Sequence, residues 1–233
     1  MKLFCLPYAG GSAAVYLQWR KYQIPDLEIR PVELPGRGSR FNEKLCDSMD
    51  ELVNILYKDI MKQVVEDEDY ALYGHSMGSW VAYYLIQKIL LEGKKIPCIL
   101  FVSGKEAPQI IKSAELCYKM DNLTLSEHIY ALGGTPKEVL QNEEMRELFL
   151  PIMRCDYQVI ETCTFSYESK KIPCDIVVFN GKEDSLSSED LEAWADLISG
   201  KWKLYEFPGN HFFIFDYTKE LLEKVVQEIY CKE

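Results

Sequence analysis

The apolar run Tyr70-Ala71-Leu72-Tyr73 meets Gly74-His75-Ser76-Met77-Gly78 with nothing between them, and a helical pattern (Val81, Leu85, Ile89) starts at once. A strand that turns into a helix this abruptly forces the residue at the apex into a strained backbone conformation. Side chains at positions 74 and 78 would collide with the neighbouring strand or helix, and glycine occupies both. Ser76, at the apex, sits at a helix N-terminus, where backbone N–H groups converge on a place that favours negative charge. A chain with this feature needs a sheet for the strand to end in and a helix packed back on that sheet.

The rest of the sequence supplies both. Short runs rich in Val, Ile, Leu, Phe and Tyr at 2–6, 28–33, 70–73, 98–102, 175–179 and 203–207 read as buried parallel strands. Between them, 50–65, 78–91, 191–198 and 221–230 carry apolar residues at helical spacing. The alternation predicts an α/β fold, a mostly parallel sheet with helices on both faces. One interval, 106–171, holds no good strand and is too long for a simple crossover. It reads as helices at 125–132, 136–149 and 151–166, the first two separated by Gly133-Gly134-Thr135-Pro136. The expectation is a core formed by 1–105 and 172–233, with 106–171 as a helical lid over the carboxyl ends of the strands.

Composition narrows the function classes. With 233 residues, 48% of them hydrophobic, the chain can bury one sizeable core. A net charge of −11 argues against general attraction to nucleic acid or to an anionic membrane. The apolar run at 2–6 stops at Pro7, too short for a secretory signal, and no stretch approaches a membrane span. The eight cysteines (5, 46, 98, 117, 155, 163, 174 and 231) form no C-x-x-C pair, and no histidine cluster accompanies them. They read as reduced thiols of a cytoplasmic protein, with neither a disulfide framework nor a metal site expected.

The G-x-S-x-G pentapeptide is weak alone, but between a strand and a helix it marks the nucleophile turn of an α/β-hydrolase fold, where an acid and then a histidine follow the serine in chain order. Of the three histidines, His75 lies inside the turn and His128 on a helical pattern of the lid, so both read as structural. His211, in the loop after the last strand, is left as general base. A carboxylate in Asn180-Gly181-Lys182-Glu183-Asp184-Ser185 can reach the imidazole from the far side. Asp184 is favoured there, with Glu183 and Asp190 read as solvated or helix-start charges. An oxyanion would be met by the N–H of Met77 and by one from Pro7-Tyr8-Ala9-Gly10-Gly11-Ser12, for which Ala9 is the choice.

Together these segments resemble the type II thioesterases that accompany nonribosomal peptide and polyketide synthases, and the resemblance spans nearly the whole chain. Leu3 to Ser12 is similar to the family's N-terminal signature, with Trp19 after it. Glu33-Leu34-Pro35-Gly36-Arg37-Gly38-Ser39-Arg40 resembles the second signature, Leu150 to Asp156 the lid motif, and Gly209-Asn210-His211-Phe212-Phe213 the histidine loop. Lys105 stands where the family would have Arg, and Cys155 where it would have Ala. The resemblance implies hydrolysis of acyl or aminoacyl thioesters on the phosphopantetheine arms of carrier domains. It also implies Ser76, Asp184 and His211 as triad, Ala9 and Met77 as oxyanion donors, and no cofactor of the enzyme's own. Arg37, Arg40 and Lys105 are candidate carrier contacts, and a monomer is expected. The rivals are a medium-chain fatty acyl-carrier thioesterase, a generic carboxylesterase and a non-catalytic carrier-binding protein.

Overall fold

The computed structural model describes residues 1–110, 116–165 and 170–230. Six strands, β1 (Lys2–Leu6), β2 (Glu28–Pro31), β3 (Tyr70–His75), β4 (Ile99–Ser103), β5 (Asp175–Gly181) and β6 (Trp202–Phe207), form one sheet in the order β2-β1-β3-β4-β5-β6. Every adjacent pair is parallel. All six lie within 1–105 and 172–233.

Strand residues alternate between two cores, as a sheet buried on both faces requires. Phe4, Leu6, Leu72, Leu100, Val102, Ile176 and Val178 enter one core with α2 (Met49–Met61) and α3 (Met77–Leu91). Leu3, Cys5, Ala71, Tyr73, Phe101, Val177 and Phe179 enter the other with α1 (Ala14–Leu17) and the C-terminal helix, Thr218–Tyr230. The fold is the expected α/β class. Chain order runs outward from β1 in both directions, to β2 on one side and β3 on the other, so the crevice between β1 and β3 is a switch point where such sheets bind ligands.

Between β4 and β5 lie α4 (Asn122–Leu132), α5 (Lys137–Gln141) and α6 (Glu143–Glu161). Residues 111–115 and 166–169 of the expected lid fall outside the described residues, as does Cys231, while the helix expected to 166 ends at Glu161 with Thr162 as its C-cap. The helical divisions differ from expectation. The 136–149 pattern breaks at Asn142, whose side chain accepts from the N–H of Met145 and caps α6. The helix then continues through Pro151, which the sequence suggests as a boundary. The stripe of Leu150, Met153, Asp156 and Val159, buried at every third position, holds it continuous across the proline. Downstream, α7 (Ser188–Glu192) begins earlier than the 191 expected, because Ser187 and Asp190 form a capping box. It passes into a 3₁₀ turn at Ala193–Leu197. After β6 come a one-turn α8 (Phe213–Asp216) and α9, the Thr218–Tyr230 helix.

Pro151 is exposed, and within α6 it removes one backbone bond and crowds the Glu147 carbonyl. Pro151→Ala should therefore stabilise the protein by about 1 kcal/mol or more, after allowing for the freer unfolded chain. Urea unfolding of the two proteins checks the sign.

Candidate active site

Ser76 follows β3 directly and precedes α3, with φ 52° and ψ −119°. A side chain rarely adopts a left-handed φ unless its surroundings over-determine it. Here they do. The Ser76 N–H donates to the Ser103 carbonyl at 2.7 Å, and the Ser79 hydroxyl donates to the Gly74 carbonyl at 2.8 Å. The Ser103 N–H in turn donates to Ser79 Oγ at 3.0 Å, tying the turn to β4. A Cβ on Gly74 would strike the Gly78 carbonyl, and one on Gly78 would strike that of Leu6. Both glycines are therefore required, and α3 starts hard against the end of β1. Met77, the first residue of α3, has an N–H with no partner within the helix.

The loops after β5 and β6 are locked together before any side chain acts. The Lys182 N–H donates to the Phe207 carbonyl at 2.8 Å and that of Glu183 to the Gly209 carbonyl at 3.0 Å. Across this frame His211 Nδ1 donates to Asp184 Oδ2 at 2.7 Å, which leaves Nε2 as the acceptor nitrogen. Burial alone would raise the Asp184 pKa, but the hydrogen bond and charge of His211 outweigh it and hold the carboxyl below its ordinary range. Asp184 remains an anion at neutral pH, while Glu183 beside it is exposed. Asp190, the other carboxylate weighed in the sequence, serves its own helix cap.

The strand end and the histidine loop meet. The rings of His75 and His211 lie 5.0 Å apart, and Gly104 packs against both, so that a Cβ there would come 2.9 Å from one and 3.2 Å from the other. His75 is fully buried with Nδ1 2.9 Å from Ser103 Oγ; burial, then His211, drives its pKa well below 6.5. It stays neutral and packs the floor, the structural part expected of it. His128 lies on α4 against Tyr157, with ring centroids 5.8 Å apart. Tyr8, after β1, sets its ring edge against His75 at 5.9 Å and Phe212 at 5.1 Å. The Gly11 N–H donates to the Tyr8 carbonyl at 2.9 Å, closing a tight turn with Ala9 second and Gly10, at φ +77°, third.

The three expected surface cations are engaged within the protein. Arg37 is a correction: it is 5% exposed and forms a two-pronged pair with buried Asp156 of α6, at 2.6 and 2.7 Å. A guanidinium enclosed in this way is no surface contact. Arg40 is shared by Glu43, Asp59 and the Glu33 carbonyl. Lys105 pairs with Glu106 at 2.8 Å, over the ring of Trp80. Charge reversal at these positions would therefore break internal contacts rather than probe docking. Asp156 enters the sequence reading only as the last residue of the lid motif and is given no role of its own, although a carboxylate in line with Leu150, Met153 and Val159 already signals a buried charge needing a cation.

Among the described residues, no helix is long and apolar enough to cross a membrane, and no cluster of three metal-ligating side chains occurs. The model of the thioesterase domain family matches residues 1–229. The chain is 30% identical over 230 residues to the gramicidin S biosynthesis protein GrsT of Aneurinibacillus migulanus, covering 98% of this chain and 89% of that protein. It is 34% identical over 227 residues to the medium-chain S-acyl fatty acid synthase thioesterase of Homo sapiens, covering 96% and 84%. The crystal structure of ClbQ from the colibactin nonribosomal peptide/polyketide pathway superposes with a TM-score of 0.92 at 36% identity, covering 98% and 96%.

Because native His75 resists the proton that the unfolded chain accepts, stability should fall as pH drops below about 6.5. The urea midpoint of the wild type should decrease between about pH 7.5 and about pH 5.5, and His75→Gln should lose less over that interval. An equal loss in both proteins would show that the slope has another source.

Proposed function

This chain belongs to the thioesterase family, enzymes that hydrolyse thioester bonds, and we propose that it clears acyl or aminoacyl groups from the phosphopantetheine arms of carrier domains. The observation that carries the chemistry is the His211–Asp184 hydrogen bond, held on locked backbone beside the strained Ser76 turn. Ser76 Oγ attacks the thioester carbonyl while His211 Nε2 takes its proton, and Asp184 stabilises the imidazolium. The carbonyl oxygen, now an anion, receives the N–H groups of Met77 and Ala9. The C–S bond breaks, and the carrier's thiol leaves with the proton returned from His211. Water, deprotonated by the same imidazole, then releases the acid from the acyl-serine and regenerates Ser76.

Every catalytic group in this scheme comes from the chain itself, and the acyl group arrives on the partner's arm, so no cofactor is needed. The segment 106–171 acts as the lid of a monomeric, cytoplasmic enzyme. Its partners are carrier domains of a nonribosomal peptide or polyketide synthase, the setting named for ClbQ. A second reading, release of medium-chain fatty acyl groups, has the 34% identity to the human enzyme in its favour.

Purified protein incubated with acyl-loaded carrier domains, followed by intact mass, separates these readings. Broad release of short acyl and aminoacyl groups supports editing, and strong preference for medium chains supports the second reading. Ser76→Ala should abolish release; retained activity would overturn the mechanism. Asp184→Asn should lower kcat by roughly 10,000-fold, as when a triad imidazole loses its tautomer. Ala9→Pro puts proline second in the turn, where it fits, and deletes the N–H, so kcat should fall about 100- to 1,000-fold with the fold intact.

A further inference from the structure

Asp156 is drawn into the core by more than its pairing with Arg37. Its Oδ2, 2.6 Å from Arg37 Nη1, also accepts the Gly10 N–H at 2.7 Å, across 146 residues of sequence. Arg37 Nη1 meanwhile donates to the Gly11 carbonyl at 3.3 Å. The turn from Tyr8 to Gly11 is thus gripped at two successive residues by one ion pair. Farther along the same loop, the Ala13 N–H donates to Glu33 Oε1 at 3.0 Å. Phe149 and Met153 of α6 lie so close over Gly10 that a Cβ there would strike the Met153 sulfur.

If the pair served only to seat α6, apolar side chains of similar volume would do as well, because desolvation offsets most of what a buried ion pair gains. No apolar side chain can hold an amide. The Gly10 N–H fixes the plane of the Ala9–Gly10 peptide, and the bond from Gly11 to Tyr8 fixes the other side of the turn. The Tyr8–Ala9 peptide, which bears the Ala9 N–H, is then held between two anchored points.

We propose that Asp156 is a positioning residue for catalysis: from the lid helix, and oriented by Arg37, it holds the Gly10 amide so that the Ala9 N–H is aimed at the developing oxyanion. The inference rests on the Ser76 mechanism above. It makes the oxyanion site a joint product of the core and the insertion, complete only while the C-terminal half of α6 is seated.

The test replaces the pair as a unit, because removing one partner would strand a buried charge. R37M/D156L should fold with Tm close to that of the wild type. On a small acyl thioester its kcat should fall about 10- to 100-fold with KM within about twofold, since a displaced donor weakens the transition state and not the ground state. Affinity for an acyl trifluoromethyl ketone, which forms a hemiketal oxyanion on Ser76, should fall by the same factor. Binding of an unreactive thioether analogue should not change. A stable R37M/D156L with wild-type kcat, or one altered only in KM, overturns the proposal. If that double variant does not fold, D156N decides by the same readouts, with kcat counted per Ser76 labelled by a fluorophosphonate. There too, wild-type turnover per labelled site overturns the proposal. Ser76→Ala runs alongside: activity surviving in it sinks the serine mechanism, whereas an inactive Ser76→Ala with an unimpaired R37M/D156L sinks the positioning role alone.

Discussion

The left-handed backbone at Ser76 is the constraint around which the molecule is arranged. Strain of this kind, of order 1–3 kcal/mol, persists only where many contacts agree on it. Ser103 on β4 accepts the Ser76 N–H, Ser79 on α3 binds both strands, and the Leu6 carbonyl at the end of β1 leaves room for Gly78 and nothing larger. Three adjacent parallel strands are therefore needed to hold one residue, and β3 occupies the place between the other two. The same packing puts the loops after β1 and β4 beside the serine, so the positions of Tyr8, Ala9 and Gly104 follow from the strain rather than from separate arrangements.

Much of this was legible in local sequence because the forces involved are local. A sheet buried on both faces leaves continuous apolar runs, and β1 matches its expected bounds residue for residue. β3 runs two residues beyond expectation, since Gly74 and His75 still pair with Val102 and Ser103. Asp184 could be told from its neighbour as the partner of His211 because Gly181, pressed against the Gly209 and Asn210 carbonyls, fixes where the loop turns. Asp184 then points inward and Glu183 outward.

What the sequence concealed depends on partners far away along the chain. Arg37, in a loop between two glycines, has every local mark of a surface cation, and its burial is decided by a carboxylate 119 residues later. Pro151 has every local mark of a helix stop, yet side-chain burial on one face of α6 outweighs a missing backbone bond. Both misreadings come from one helix, because its apolar stripe takes meaning only from the loop it covers.

The candidate catalytic groups thus rest on two kinds of support. Asp184 and His211 stand on loops joined to each other by backbone hydrogen bonds at the edge of the sheet. The turn at Ala9 is clasped by α6, whose Val159 belongs to the core cluster beneath the sheet's helical layer. Elsewhere on the insertion, Gly134, between α4 and α5, rests on the Phe212 ring of the histidine loop. The insertion thus meets the two supports differently: the Ala9 turn through an ion pair and a hydrogen bond from α6, the histidine loop through the Phe212 ring against Gly134.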